Sequence, residues 1–216
     1  MPPRIKVCCI SSREEASTAI SFGASAIGLV GRMPSGPGII SNELIRDIAL
    51  FTPPGISSFL LTCETEPDGI IGHHALACTT VLQLVDHVKP AAYATIRSAL
   101  PSVKIVQVIH VRDRSSVDEA LLAAAHVDAL LLDSGNPNLA VKELGGTGRV
   151  HDWSLSADIV RQTDTPVFLA GGLHAGNVKE ALDRVQPFGL DICSGVRTNN
   201  ALDPARLEAF FRAALS

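Results

Sequence analysis

The chain is 216 residues long and 46% hydrophobic, enough to bury one large core and slightly short of a typical complete β/α barrel. Its 18 basic and 22 acidic residues are interspersed and sum to a formal net charge of -4; this excludes a broad field for nucleic acid or an anionic membrane surface, so a small anion would have to be held locally. No segment approaches the roughly 18 uninterrupted apolar residues of a membrane span.

Along the chain, the first apolar run, Ile5 to Ile10, reads as a strand, and Ser11 or Ser12 can then cap a helix over Arg13 to Phe22. Phe22-Gly23 ends that helix with a residue able to turn left-handed, and Ser25 to Gly31 follows as the second strand. Ser41 opens a helix over Asn42 to Leu50, ahead of strands at Ser57 to Thr62 and Thr80 to Val85. Lys104 to Val111 is the fifth strand, Ser115 or Ser116 caps a helix over Val117 to Ala125, and Val127 to Asp133 is the sixth strand. The longest connection, Ser134 to Thr165, carries Gly145-Gly146-Thr147-Gly148, and so extended a glycine-rich loop points to function. His151-Asp152 reads as the cap of a helix opened by Trp153. Pro166 to Ala170 and Leu190 to Ser194 are the last strands, the second introduced by Phe188-Gly189, and Asp203-Pro204 opens a final helix over Ala205 to Leu215.

Most of these runs are near-continuous rather than alternating, as expected for parallel strands covered on both faces. Eight of them, interleaved with helices, predict an α/β fold with a single (β/α)8 TIM barrel domain over residues 1–216. An open doubly wound sheet alternates in the same way, but its Gly-x-Gly-x-x-Gly after the first strand is absent, and Cys8-Cys9-Ile10-Ser11 stands there.

Met-Pro-Pro-Arg-Ile-Lys leads into the first strand without the apolar stretch of a secretory signal, and a cytoplasmic location is expected. The cysteines at 8, 9, 63, 78 and 193 form no Cys-x-x-Cys pair; they predict reduced thiols, neither a disulfide framework nor a zinc site. Adjacent His73 and His74 point in different directions on a helix, so with His87 they read as surface residues, and no metal is expected. His110 and Trp153 are assigned to packing.

In a β/α barrel, polar residues at the C-terminal ends of strands face the ligand site. Cys8, Asp133, Gly171-Gly172 and Ser194-Gly195 all fall there. Glycine loops after the last two strands let backbone N–H groups approach an oxyanion, with a phosphate as the natural guest. Asp133 ends an apolar strand, where desolvation would raise its proton affinity toward that of a general acid. Cys8, at the end of the first strand, could supply a thiolate base if a cation or a helix terminus lay near it.

Six segments, in order, carry a more specific signal: Lys6-Val7-Cys8, Gly23 to Gly28, Leu131 to Ser134, Gly145 to Gly148 with His151-Asp152-Trp153, Leu169 to Leu173 with Asn177-Val178, and Asp191 to Val196. Together they resemble the phosphoribosylanthranilate isomerase family over almost the whole chain. The resemblance implies an Amadori rearrangement with Cys8 as general base and Asp133 as general acid, and a phosphate cradle including Gly146, Gly171, Gly172, Ser194 and Gly195. It implies a phosphosugar substrate, no cofactor, a role in tryptophan biosynthesis, and a monomer or homodimer.

Departures from the family pattern fall on the other side of the substrate. Where the family has an arginine for the anthranilate carboxylate this chain has Gly38, and where it has a histidine after the fourth strand this chain has Val85, followed by Asp86. Cys9 replaces a glycine and Arg197 a glutamate. Arg32, Arg112 and Arg197 are candidates to restore a cation, and Gln83 is a further candidate substrate contact. The alternatives are an isomerase for another phosphoribosylated amine, a barrel enzyme for another sugar phosphate, and a non-catalytic barrel that binds such a metabolite.

Overall fold

The computed structural model describes residues 3–135, 139, 141, 142, 144 and 148–216. Gly146, with Gly145 and Thr147, lies outside the described residues. Eight parallel strands close in chain order into a barrel: β1 (Arg4–Val7), β2 (Ala26–Val30), β3 (Ser57–Thr62), β4 (Val81–Leu84), β5 (Lys104–His110), β6 (Ala129–Asp133), β7 (Val167–Leu169) and β8 (Gly189–Ile192). The helices between and after them are α1 (Arg13–Ser21), α2 (Asn42–Phe51), α3 (Pro67–Ala77), α4 (Pro90–Ala99), α5 (Ser115–Ala124), α6 (Trp153–Gln162), α7 (Val178–Val185) and α8 (Pro204–Leu215). Several strands stop short of the apolar runs that announce them, and the residues that follow β1, β7 and β8, namely Cys8, Ala170 and Cys193, line the cavity at the barrel's mouth. A short antiparallel pair, β9 (Arg197–Thr198) and β10 (Ala201–Leu202), was not legible in the sequence.

Period-2 alternation on buried strands gives the barrel two apolar layers. Ile5, Val7, Leu29, Leu60, Leu130 and Leu190 point outward into the shell beneath the helices. Ala26, Phe59, Leu61, Val106, Leu131 and Phe168 belong to a second cluster that fills the interior. The ring closes where β1 pairs with β8, with Lys6 opposite Asp191.

The Ser12, Ser41, Asp152 and Asp203 side chains accept backbone N–H bonds at the starts of α1, α2, α6 and α8. α5 differs from expectation. Ser115 and Ser116 lie inside the helix; Asp113 Oδ1 accepts the Ser115 N–H at 2.8 Å, while Ser116 Oγ accepts the Arg112 N–H at 3.1 Å. Gly23 ends α1 at φ +102° as expected, but Gln186, at φ +52°, turns the chain after α7. Gly189 instead lies in β8, where a Cβ would come within 2.7 Å of the Phe168 ring.

Of the histidines read as surface residues, His87 is exposed, His73 is half-buried and His74 is buried. His73 Nδ1 meets Thr62 Oγ1 at 2.8 Å and Nε2 meets Asn42 Oδ1 at 3.1 Å; buried His74 bonds the Thr79 carbonyl at 2.7 Å. Each ring joins a helix to the neighbouring chain through hydrogen bonds that the sequence pattern does not show.

Candidate functional site

The C-terminal ends of the strands surround an open cavity of about 740 Å³. Cys8 and Asp133 both line it, the first just beyond β1 and the second ending β6. Around the ring, β1 and β6 are separated by β8 and β7, so the thiol and the carboxyl flank the space from different sides. Both are largely buried, at 5% and 9% exposure.

Below Cys8, two charges are buried inside the barrel. Lys6 Nζ donates to Asp191 Oδ1 at 2.7 Å and stands 5.3 Å from the centre of the Phe59 ring. Burial opposes the Lys6 ammonium, but Asp191 and Cys8 outweigh it and hold its pKa above the ordinary lysine value. Asp191 is pushed up by burial, with Lys6 opposing and Asp133 adding to the shift. The Cys8 thiol is held below its ordinary value: a hydrogen bond from Cys9 favours the thiolate, burial opposes it, and the Lys6 charge supports it. Of the two supports the sequence allows for a thiolate, a cation or a helix terminus, the cation is present: Lys6, two residues earlier on β1.

The glycine loops meet backbone to backbone. Gly171 and Gly172 take φ values of +84° and +63°. A Cβ on Gly172 would come within 2.7 Å of the Arg149 carbonyl carbon, and one on Gly195 within 2.1 Å of the Leu173 carbonyl oxygen. The loops after β6, β7 and β8 thus need bare glycine to stack this closely. Gly171, Gly172 and Ser194 line the cavity, and Gly195 sits behind them against the loop after β7. Asn177 supports the arrangement: its side chain donates to the Gly172 carbonyl at 3.0 Å and accepts the His174 N–H at 2.8 Å.

The opposite wall is mainly apolar, with Val30, Met33, Pro37, Leu61, Val85 and Leu144. Gln83 lines it too, and its buried Oε1 finds no hydrogen-bond partner among the described residues. No arginine or lysine is among the described residues lining the cavity. Arg32 and Arg112 are exposed and stand outside the lining. Arg197 lies outside it as well: it pairs with Glu15 at 2.9 Å and donates to the carbonyls of Cys8 and Cys9, buttressing the turn after β1. Asp86 pairs with Lys142, whose carbonyl accepts from Ser35 Oγ at 2.5 Å, so the segment after β6 is tied to the β2 and β4 loops.

Gly38 and Cys9 are sterically linked. Gly38 has φ +80°, and a Cβ built there would lie 2.5 Å from Cys9 Cβ. Gly38→Arg is therefore expected to destabilise the fold by about 1–3 kcal/mol. Adding Cys9→Gly to the same chain should recover much of that loss in thermal unfolding, whereas equal losses in the single and double variants would sink the steric link.

Lys6 and Asp191 were not identified as a functional pair from the sequence. The available signal was a charge at the inward position of two otherwise apolar strands, Ile5-Lys6-Val7 and Leu190-Asp191-Ile192.

Residues 76–213 match the family model for N-(5'phosphoribosyl)anthranilate (PRA) isomerase. The chain is 37% identical to N-(5'-phosphoribosyl)anthranilate isomerase 2 of Methanosarcina mazei, an alignment that covers 91% of this chain and 87% of that protein. It is 34% identical to N-(5'-phosphoribosyl)anthranilate isomerase of Halobacterium salinarum, covering 96% and 93%. Among solved structures, phosphoribosyl anthranilate isomerase from Thermotoga maritima superposes with a TM-score of 0.84 at 27% identity, with 98% of each chain covered. A phosphoribosyl anthranilate isomerase in complex with reduced 1-(o-carboxyphenylamino)-1-deoxyribulose 5-phosphate superposes at 0.81 with 25% identity, again over 98% of each chain.

Proposed function

Because the chain belongs to the phosphoribosylanthranilate isomerase family, we propose that its cavity carries out the Amadori rearrangement of an N-phosphoribosylated arylamine, with Cys8 as general base and Asp133 as general acid. The observation that carries this assignment is that a thiol from β1 and a carboxyl from β6 line one cavity, with Lys6 beneath the thiol. Asp133 gives its proton to the ring oxygen as the C1'–O bond breaks, and the nitrogen lone pair forms the iminium. Cys8 removes the proton from C2', and the C–H electrons form the C1'=C2' bond of an enolamine. That enolamine tautomerises to the ketone. The substrate's own nitrogen is the electron sink, so the protein's task is to hold and move two protons. Gly171, Gly172 and Ser194 receive the phosphate, supported by Gly195.

Purified, reduced protein is expected to convert phosphoribosylanthranilate with loss of its fluorescence. A second reading, in which the amine lacks a carboxylate, is favoured by the absence of a lysine or arginine from the described cavity lining. Conversion of a carboxylate-free phosphoribosyl arylamine with a higher kcat/KM would select it; no conversion of either compound would refute the isomerase assignment.

The pH profile tests the base. A thiol whose pKa is lowered becomes a thiolate at lower pH than a free cysteine, so kcat/KM should rise with pH and reach half its plateau at a lower pH than an unperturbed thiol would give. Lys6→Gln should move that limb toward higher pH, since the charge favouring the thiolate is gone. An acid limb unmoved by this change would contradict the role of Lys6.

A further inference from the structure

Three thiols converge where β1 meets β8. Cys8 and Cys9 end the turn after β1, and Cys193 follows β8; all three line the cavity. The seam holds them in register, since Cys8 N–H donates to the Ile192 carbonyl at 2.8 Å. Cys193 Sγ lies 2.7 Å from Cys9 Sγ, and both thiols are free. A disulfide bond needs about 2.05 Å, so a small movement of either side chain would suffice. Cys9 holds a left-handed backbone, φ +62°, pinned by Arg197 donating to its carbonyl. The Arg197 guanidinium also acts electrostatically on both Cys9 and Cys193, while hydrogen bonds to Cys193 and Cys8, with burial, hold the Cys9 thiol well above its ordinary value. Cys193 is partly exposed, which gives a small oxidant access to one sulfur of the pair.

We propose that Cys9 and Cys193 are a redox modification site, forming a reversible disulfide across the β1–β8 seam that turns off the neighbouring Cys8. With hydrogen peroxide as oxidant, the Cys193 sulfur attacks one peroxide oxygen; the S–O bond forms, the O–O bond breaks, and the departing hydroxide leaves as water with the proton of the Cys193 thiol. The Cys9 sulfur then attacks the Cys193 sulfenic sulfur. The S–S bond forms and the S–O bond breaks, and the hydroxide leaves as a second water with the Cys9 proton. Two thiols are oxidised and one peroxide is reduced. A dithiol reductant reverses the change by exchange. The effect on Cys8 follows because Cys9 is its chain neighbour and both line the cavity, so tying Cys9 to Cys193 shifts the turn that carries the Cys8 sulfur; loss of the Cys9 S–H acts in the same direction on the thiolate.

The effect on turnover rests on Cys8 being the base, whereas formation of the bond does not. The test uses the full chain with Cys78→Ser, which removes the exposed thiol. Protein treated with hydrogen peroxide is alkylated and digested, and its peptides are sequenced by mass spectrometry. The expected result is a Cys9–Cys193 cross-link that disappears with dithiothreitol, persists in Cys8→Ala and is absent from Cys193→Ser. Isomerase turnover should fall by roughly 100-fold on oxidation and recover on reduction, while the treated-to-untreated ratio of Cys193→Ser stays near one. Oxidised protein with Cys193 still alkylatable, or cross-linked to Cys8 instead of Cys9, would overturn the proposal. If the cross-link forms but turnover is unaffected, the switch is refuted; a chain that cross-links but never turns over refutes the isomerase reading.

Discussion

Cys8→Ser is expected to lower kcat by roughly 10²–10⁴-fold with much smaller change in KM, because a serine hydroxyl stays protonated where the Cys8 thiol is poised to ionise. Asp133→Asn should produce a loss in the same range, since an amide in that position has no acidic proton for the ring oxygen. The two losses should not add in the double variant, because proton removal and proton delivery serve one rearrangement. Steady-state kinetics on the substrate that the wild type converts would decide. A Cys8→Ser enzyme within about threefold of wild type would remove the thiol from the mechanism, and the cavity would need another base. Gln83, whose buried Oε1 has no hydrogen-bond partner among the described residues, cannot take that role, because an amide is not a base near neutral pH.

Lys6→Met is expected to cost about 3–5 kcal/mol of stability, because it leaves the Asp191 carboxylate buried at 9% exposure with its ammonium gone. In a chain of this size, that corresponds to a fall in Tm on the order of 10 °C. Asp191→Asn should also destabilise, leaving the fully buried ammonium without its anion. The double variant Lys6→Met/Asp191→Leu should recover part of the loss, since two apolar groups need no pairing. The pKa of Lys6 is raised in the fold, so its contribution is present in full below the ordinary lysine value and fades only as pH rises past it. The difference between wild type and Lys6→Met should therefore stay level from neutral pH to about 10. Urea unfolding over that range would check it, and a cost below about 1 kcal/mol would show that the pair is dispensable to the fold. The same substitution removes a charge that favours the Cys8 thiolate, so stability and the acid limb of the pH profile should change together.

The architecture was legible from residue patterning alone. Eight apolar runs interleaved with helices can bury both faces of a parallel sheet in few ways, and the polar residues at their C-terminal ends then fall at one mouth. Cys8, Asp133 and the two glycine loops were legible for that reason: each is placed by its position on a single strand. Their chemical environment was not, because it is made by residues far apart in the chain. Lys6 meets Asp191 across 185 positions, and Cys9 meets Cys193 across 184. Both pairs exist only because the barrel closes β1 onto β8 in one register. Arg197, read as a candidate ligand contact, is turned by the same closure onto Glu15 and the turn after β1. Local periodicity tells which way a side chain points, but the register of the closing strands decides which charges and which thiols it meets.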